Sequence, residues 1–287
     1  FFFDVGVPFC AMLASQNYDQ YLFACKVYNS RILSKVLAAI QLGKRETNCQ
    51  VIVTESYMKF IVDLEDKSFQ ATATLKPDIF QDYHFPAKPI RFAVNLSNLL
   101  DCLGMYGGAS SMTAAHMHYP GLDNTLVVAL AEGDKVTECS LKTCRAEDLL
   151  DMRFGAYPLS SKVVIRSEIL KEVIGDFEGL TDKVRFAITP NEVIWSGTGV
   201  SAECRMTIPS RADAFFYYEC SRETDSQFLL NHLNLATKTA SRETTEKGTL
   251  RTNSEGMLSI QHSVRTSDQG PTCAVDFVCL PLVDDDI

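Results

Sequence analysis

Asn29-Ser-Arg-Ile-Leu-Ser-Lys-Val-Leu-Ala-Ala-Ile-Gln41 is the stretch around which the rest of the chain is organised. Its apolar residues Ile32, Leu33, Val36, Leu37 and Ile40 recur at helical spacing and predict one buried stripe. Ser30 stands where an N-cap belongs, and Gly43 where the helix should stop. The other face carries Arg31 and Lys35, four positions apart with no acid between them. On a helix these two cations lie side by side and repel weakly. In a chain of formal net charge −9, a basic stripe without acidic partners asks for an explanation.

The stripe is written twice. Ile169, Leu170, Val173, Ile174 and Phe177 each follow their counterparts by 137 positions (169 − 32 for the first pair). Ser167 matches Ser30, and Gly179 ends the second helix as Gly43 ends the first. Around both copies the order is strand, helix, strands, helix, strands. In the first half, Tyr21 to Tyr28 reads as a strand feeding the helix. Cys49 to Thr54, Lys59 to Asp63, the alternating Phe69 to Leu75, and Pro89 to Val94 follow. A short helix from Leu96 to Met105, then strands at 111–119, 125–131 and 135–143, complete that half. In the second half, strands are predicted at 162–166, 184–189, 192–195, 202–208 and 214–219. A helix near 228–239 and strands at 248–253, 258–264 and 273–280 complete it. Leu229, Leu230 and Leu233 of that helix echo Leu99, Leu100 and Leu103.

Arg145 to Ser160 breaks the pattern with Glu147, Asp148 and Asp151 early and Gly155 and Pro158 late, and reads as a linker. The expected organisation is an N-terminal tail 1–17, one domain 18–144, the linker 145–160 and a second domain 161–287. Each domain is predicted as an α+β layer of mainly antiparallel sheet with two helices on one side. Two such units leave free sheet edges, which invite pairing with another chain.

Composition narrows the class. No run of about eighteen apolar residues is present, so no spanning helix is expected. The opening Phe1 to Ser15 is apolar but has no basic n-region and contains Asp4 and Pro8, so it reads as an extension or a gene-model artefact in preference to a secretion signal. The ten cysteines are scattered without a C-x-x-C and read as buried free thiols. The acidic balance argues against general adhesion to nucleic acid while leaving room for a locally basic surface.

Enzyme motifs are scarce. There is no G-x-x-x-x-G-K-[ST], no G-x-G-x-x-G and no G-x-S-x-G. Asp63-Leu-Glu65 matches the D-x-E of metal-dependent exonucleases, but Asp66-Lys-Ser68 follows as in a hairpin turn, which is the simpler reading. His116 and His118 share one face of a strand, with no third ligand identifiable, and read as ordinary sheet surface. The cations form the more informative set. Arg31 and Lys35 lie outward on the first helix, with Lys44 and Arg45 beyond it. Lys171 is on the third, and Lys238 and Arg242 are at the end of the fourth. As single residues these are solvated helix faces. Together they make the same face basic in three of four equivalent helices, which suits a phosphate backbone read without base contacts. The second helix carries no cation, and its exposed Asp101 opposes the trend.

At this point the chain resembles the DNA sliding clamp (PCNA-like) family. Asp134 to Thr143, the acidic linker and Lys162 to Leu170 look like the middle of a eukaryotic clamp subunit. Leu99 to Leu103, Ala236 to Ala240, Leu250 to Ile260 and the Cys-rich last strand are similar to Rad-one-type subunits of the DNA-damage checkpoint clamp (nine-one-one complex). The resemblance covers about Tyr18 to Pro281. It implies two clamp domains whose helices face a central hole, in a heterotrimeric ring with two paralogous subunits, without enzyme activity or cofactor. Such a ring is placed on duplex DNA by a clamp loader, works in the nucleus and scaffolds checkpoint and repair proteins. Carried onto this chain, Arg31, Lys35, Lys44, Arg45, Lys171, Lys238 and Arg242 would line the hole. One subunit boundary would use the strand 135–143, with Val136, Glu138 and Ser140. The other would use 202–208, with Cys204, Met206 and Ile208. Leu149, Leu150 and Met152 of the linker would either dock partner peptides or pin the linker to the sheet. An exonuclease and a homotrimeric replication clamp remain the alternatives.

Overall fold

The computed structural model describes residues 20–43, 47–85, 87–106, 113–147, 152, 154–238, 240, 245–265 and 272–283. The first strands are β1 (Phe23–Val27), β2 (Asn48–Val53), β3 (Met58–Asp63), β4 (Phe69–Leu75) and β5 (Asp82–His84). Next come β6 (Ile90–Asn95), β7 (Ala114–Tyr119), β8 (Leu126–Glu132), β9 (Lys135–Leu141) and β10 (Thr143–Cys144). Then follow β11 (Leu159–Arg166), β12 (Lys183–Ile188), β13 (Glu192–Thr198), β14 (Glu203–Pro209) and β15 (Phe215–Cys220). The last are β16 (Thr224–Leu229), β17 (Lys247–Asn253), β18 (Leu258–Arg265) and β19 (Thr272–Cys279). The helices are α1 (Ser30–Ala39), α2 (Leu96–Leu103), α3 (Ser167–Gly175) and α4 (Leu230–Thr237).

The chain divides into two compact units. One gathers the described residues of Phe1–Ala38, Lys44–Phe60 and Leu75–Glu147; the other those of Ala39–Gly43, Ile61–Thr74 and Asp148–Ile287. In the first unit an antiparallel sheet runs β5-β1-β7-β8-β9, and β10, β6 and β2 pair side by side. In the second, one sheet runs β14-β13-β12-β16, and β4, β19, β18, β17, β11 and β15 form an antiparallel succession. The predicted α+β arrangement is therefore present in each unit.

The helices bury the expected stripes. Leu33, Val36, Leu37 and Ile40 are fully buried, as are Leu170, Ile174 and Phe177, with Val173 nearly so. Ile32 and Ile169, the equivalent first members, are both only half-buried. Each buried Leu or Ile contributes about 1.5–3 kcal/mol of transfer free energy. Strand alternation is equally clear: Phe69, Ala71, Ala73 and Leu75 point inward on β4, and Cys273, Val275, Phe277 and Cys279 on β19. All nine cysteines among the described residues are free, and five of them are buried.

Some local expectations change. Asn29, not Ser30, caps α1: its Oδ1 accepts from the Arg31 amide at 3.0 Å. Ser30 lies inside the helix and donates its hydroxyl to the Leu103 carbonyl at 3.1 Å, tying α1 to the end of α2. Ser167 likewise begins α3 fully buried, and no side chain caps that helix. Both helices end four residues before the expected glycines, and Gly179 supplies a left-handed residue (φ 76°) in the turn beyond α3. The echo between α2 and α4 shifts by four. Leu229 closes β16, and the true equivalents are Leu96 with Leu230, Leu99 with Leu233, Cys102 with Ala236 and Leu103 with Thr237 (230 − 96 = 134), all buried. Three strands went unpredicted: β5, β10 and β16 are short or polar and exist because β1, β6 and β12 offer them an edge.

His116 departs most from expectation. It is 1% exposed, not sheet surface. It stands opposite Lys26, itself opposite Asp82, with the His118 ring 5.4 Å away. Burial first, then the nearby His118 and Lys26, hold its pKa down at about 4 despite Asp82.

Candidate DNA-facing helices and subunit edges

The helix cations occupy unequal settings. Lys35 on α1 is exposed and Arg31 half-buried. Lys171 on α3 is exposed, but the exposed carboxylate Glu168 stands three residues before it on the same helix face, a spacing at which it offsets the lysine's charge. Asp101 is exposed on α2, which bears no cation. Lys238 stands at the C-cap of α4, where a positive charge suits the helix dipole. Its Nζ donates to the Gln41 carbonyl, and burial lowers its pKa. Lys238 is thus already engaged. Lys44, Arg45 and Arg242 lie outside the described residues.

The two proposed subunit edges both end sheets. β9 pairs with β8 on one side, and Gly133 (φ 58°) makes the tight turn between them possible. β14 pairs with β13. Among the described residues neither has a second neighbour, so each presents a row of main-chain donors and acceptors. The side chains differ in facing. Val136, Glu138 and Ser140 are exposed on the outer face of β9. Cys204, Met206 and Ile208 are half-buried on the core side of β14, opposite Gly197, Trp195 and Val193. Those three are the uncovered rim of an apolar core. The equivalent rim on β9 is Thr137, Cys139 and Leu141. It lies on the opposite parity of the strand from the exposed Val136, Glu138 and Ser140. The turn that follows α2 supports this rim: Tyr106 hydroxyl meets Thr137 Oγ1, and Cys139 Sγ lies 3.6 Å from Met105 Sδ.

In the linker, Leu149 and Leu150 lie outside the described residues, and Met152 is 5% exposed. The turn at Phe154–Ala156 is fastened to β17, where Asn253 Nδ2 donates to the Phe154 carbonyl at 3.3 Å and the Arg251 guanidinium sits 5.9 Å from the Phe154 ring. Both features favour pinning over peptide docking.

The D-x-E pair does not converge. Asp63 accepts from Lys67 at 3.2 Å and Gln70 at 2.8 Å, bracing the β3–β4 hairpin, while Glu65 is exposed. Among the described residues no three His, Cys, Asp or Glu side chains gather as a metal site, and no helix is long and apolar enough to cross a membrane.

Sheets that end in open strands, with paired helices repeated in two units, define the sliding-clamp fold. A solved PCNA from Thermococcus kodakaraensis superimposes with a TM-score of 0.73 at 17% identity, covering 91% of this chain and all of that one. The family model described as Repair protein Rad1/Rec1/Rad17 matches residues 22–264, and the chain belongs to that family. It is 28% identical to the mouse cell cycle checkpoint protein RAD1 over 280 residues, 96% of this chain and 98% of the relative. To the human RAD1 it is 27% identical over the same length, covering 97% of that protein.

Proposed function

We propose that this chain is one subunit of a heterotrimeric DNA clamp that encircles duplex DNA at damage sites in the nucleus and scaffolds checkpoint signalling and repair. The observation that carries the reading is the pair of open edges, β9 and β14, in a chain of the Rad1 family. Each edge can accept a strand from a paralogous neighbour. Face for face the two edges are alike, with Thr137, Cys139 and Leu141 inward on β9 and Cys204, Met206 and Ile208 inward on β14, so the choice of two distinct neighbours over self-assembly rests on membership of the Rad1 family. Exposed Lys35 and Lys171, with Lys44, Arg45 and Arg242, would meet phosphates without reading sequence. Enclosure lets a few such contacts suffice, and the acidic remainder repels DNA from the outside. The domain division at 145–160 and placement by a clamp loader belong to the same reading.

We assign no enzyme activity, because Asp63 is spent on its hairpin. The test is digestion of labelled DNA with divalent metal. Activity lost on Asp63→Ala and Glu65→Ala would establish the exonuclease alternative. The clamp reading is tested by reversing Lys35 and Lys171 to Glu in the assembled ring, which should lower DNA retention without blocking assembly; unchanged retention would remove the DNA-facing assignment.

A further inference from the structure

β15 ends its sheet with two neighbouring exposed aromatics, an arrangement a regular strand forbids because successive side chains point to opposite faces. Phe216 is 42% and Tyr217 46% exposed. The cause is a bulge. Val164 of β11 faces Tyr217 and Ile165 faces Phe215, so Phe216 is an extra residue on its strand. Bulges re-aim side chains at sheet edges, and here Phe216 turns to the face that Tyr217 already occupies.

Three cations cover these rings. Lys247 Nζ lies 4.3 Å from the Phe216 centroid, the Arg166 guanidinium 5.2 Å from the same ring, and Lys162 Nζ 5.5 Å from the Tyr217 ring. Arg166 is held by its Nε, which donates to the Asp213 carbonyl at 3.0 Å. Among the described residues none of the three cations is in an ion pair. Two of the carboxylates beside the patch are engaged. Glu246 holds Arg265 at 2.8 Å, and Glu219, opposite Lys162 in register, accepts the Tyr217 hydroxyl at 2.5 Å. The patch is therefore most positive at its Phe216 end, in a chain of net charge −9. Beyond it, β15 pairs with β11 alone among the described residues and leaves its other edge open.

We propose that this edge docks an extended acidic peptide, which adds to β15 as a further strand and sets its carboxylates against Lys247 and Arg166. Main-chain pairing at the open edge supplies affinity, and the cations supply selectivity. A single strand of DNA fits less well. The ring faces it would stack on are already covered by cations, and it offers no amides to the strand edge.

The test uses the purified full chain and fluorescence anisotropy with an alternating valine–glutamate peptide. The same peptide N-methylated on alternate amides and a short oligothymidylate serve as comparison probes. Saturable peptide binding is expected, weakened about tenfold by Lys247→Glu and several-fold by Phe216→Ser. Glu219→Lys, an exposed change, should strengthen it, and unchanged melting temperatures would exclude misfolding. N-methylation should abolish binding. Equal binding of the methylated peptide, indifference to charge reversal, or tighter binding of the oligothymidylate would overturn the proposal.

Discussion

The Nζ of Lys238 donates to the backbone carbonyl of Gln41, so a lysine that the basic pattern assigned to phosphate is bound within the protein. Its ammonium is partly desolvated, which lowers its pKa. Truncating it should therefore act on stability first. Lys238→Ala is expected to cost about 1 kcal/mol in denaturant unfolding, while Lys35→Ala on the exposed face of α1 stays within about 0.5 kcal/mol. Equal effects would mean that the Gln41 contact carries no free energy.

The repeated stripes make a paired prediction. Leu33→Ala and Leu170→Ala remove fully buried side chains at equivalent positions and should each cost about 2–5 kcal/mol. Ile32→Ala and Ile169→Ala, both half-buried, should cost clearly less in the same urea titrations.

Acid should weaken the fold through His262. This imidazole is fully buried, lies within 2.9 Å of the Ala236 carbonyl, and has its pKa pushed down to about 4, chiefly by burial. The unfolded chain binds that proton near the ordinary histidine value and the folded chain only near 4. The stability contribution is therefore complete above about pH 6.5 and is lost as pH falls toward 4. The loss is about 3 kcal/mol by linkage. A His262→Gln variant should show a flatter melting temperature across that window.

Edge chemistry gives a prediction on assembly. Met206 and Ile208 are only half-buried, at the rim of β14. Met206→Arg should leave the melting temperature of the isolated chain nearly unchanged while preventing association at that edge, read by size-exclusion chromatography with the neighbouring subunits.

Much of this fold was legible in the residues because apolar period reports burial directly. The stripes of α1 and α3 and the alternation of β4 and β19 needed nothing from outside their own segments. What escaped depended on neighbours. β16, with its polar Thr224-Asp-Ser-Gln start, is a strand because β12 pairs with it, and recognising that strand would have corrected the four-residue shift between α2 and α4. Asn29 displaced Ser30 as cap because the Ser30 hydroxyl is drawn to Leu103, a residue distant in sequence. His116 looked like surface because strand parity says which side a residue faces but not whether that side is covered. Of the candidate site, the edges β9 and β14 were readable as strands. The inner rim of β9 and the engagement of Lys238 were not, since each is set by contacts remote in sequence.

On the reading proposed above, this chain is one of three different subunits in a ring. Native mass spectrometry of the purified chain, alone and after co-expression with two paralogous clamp subunits, tests it most directly. A monomer alone and a complex with one copy of each subunit are predicted. A stable trimer of this chain by itself, or no association with the paralogues, would contradict it.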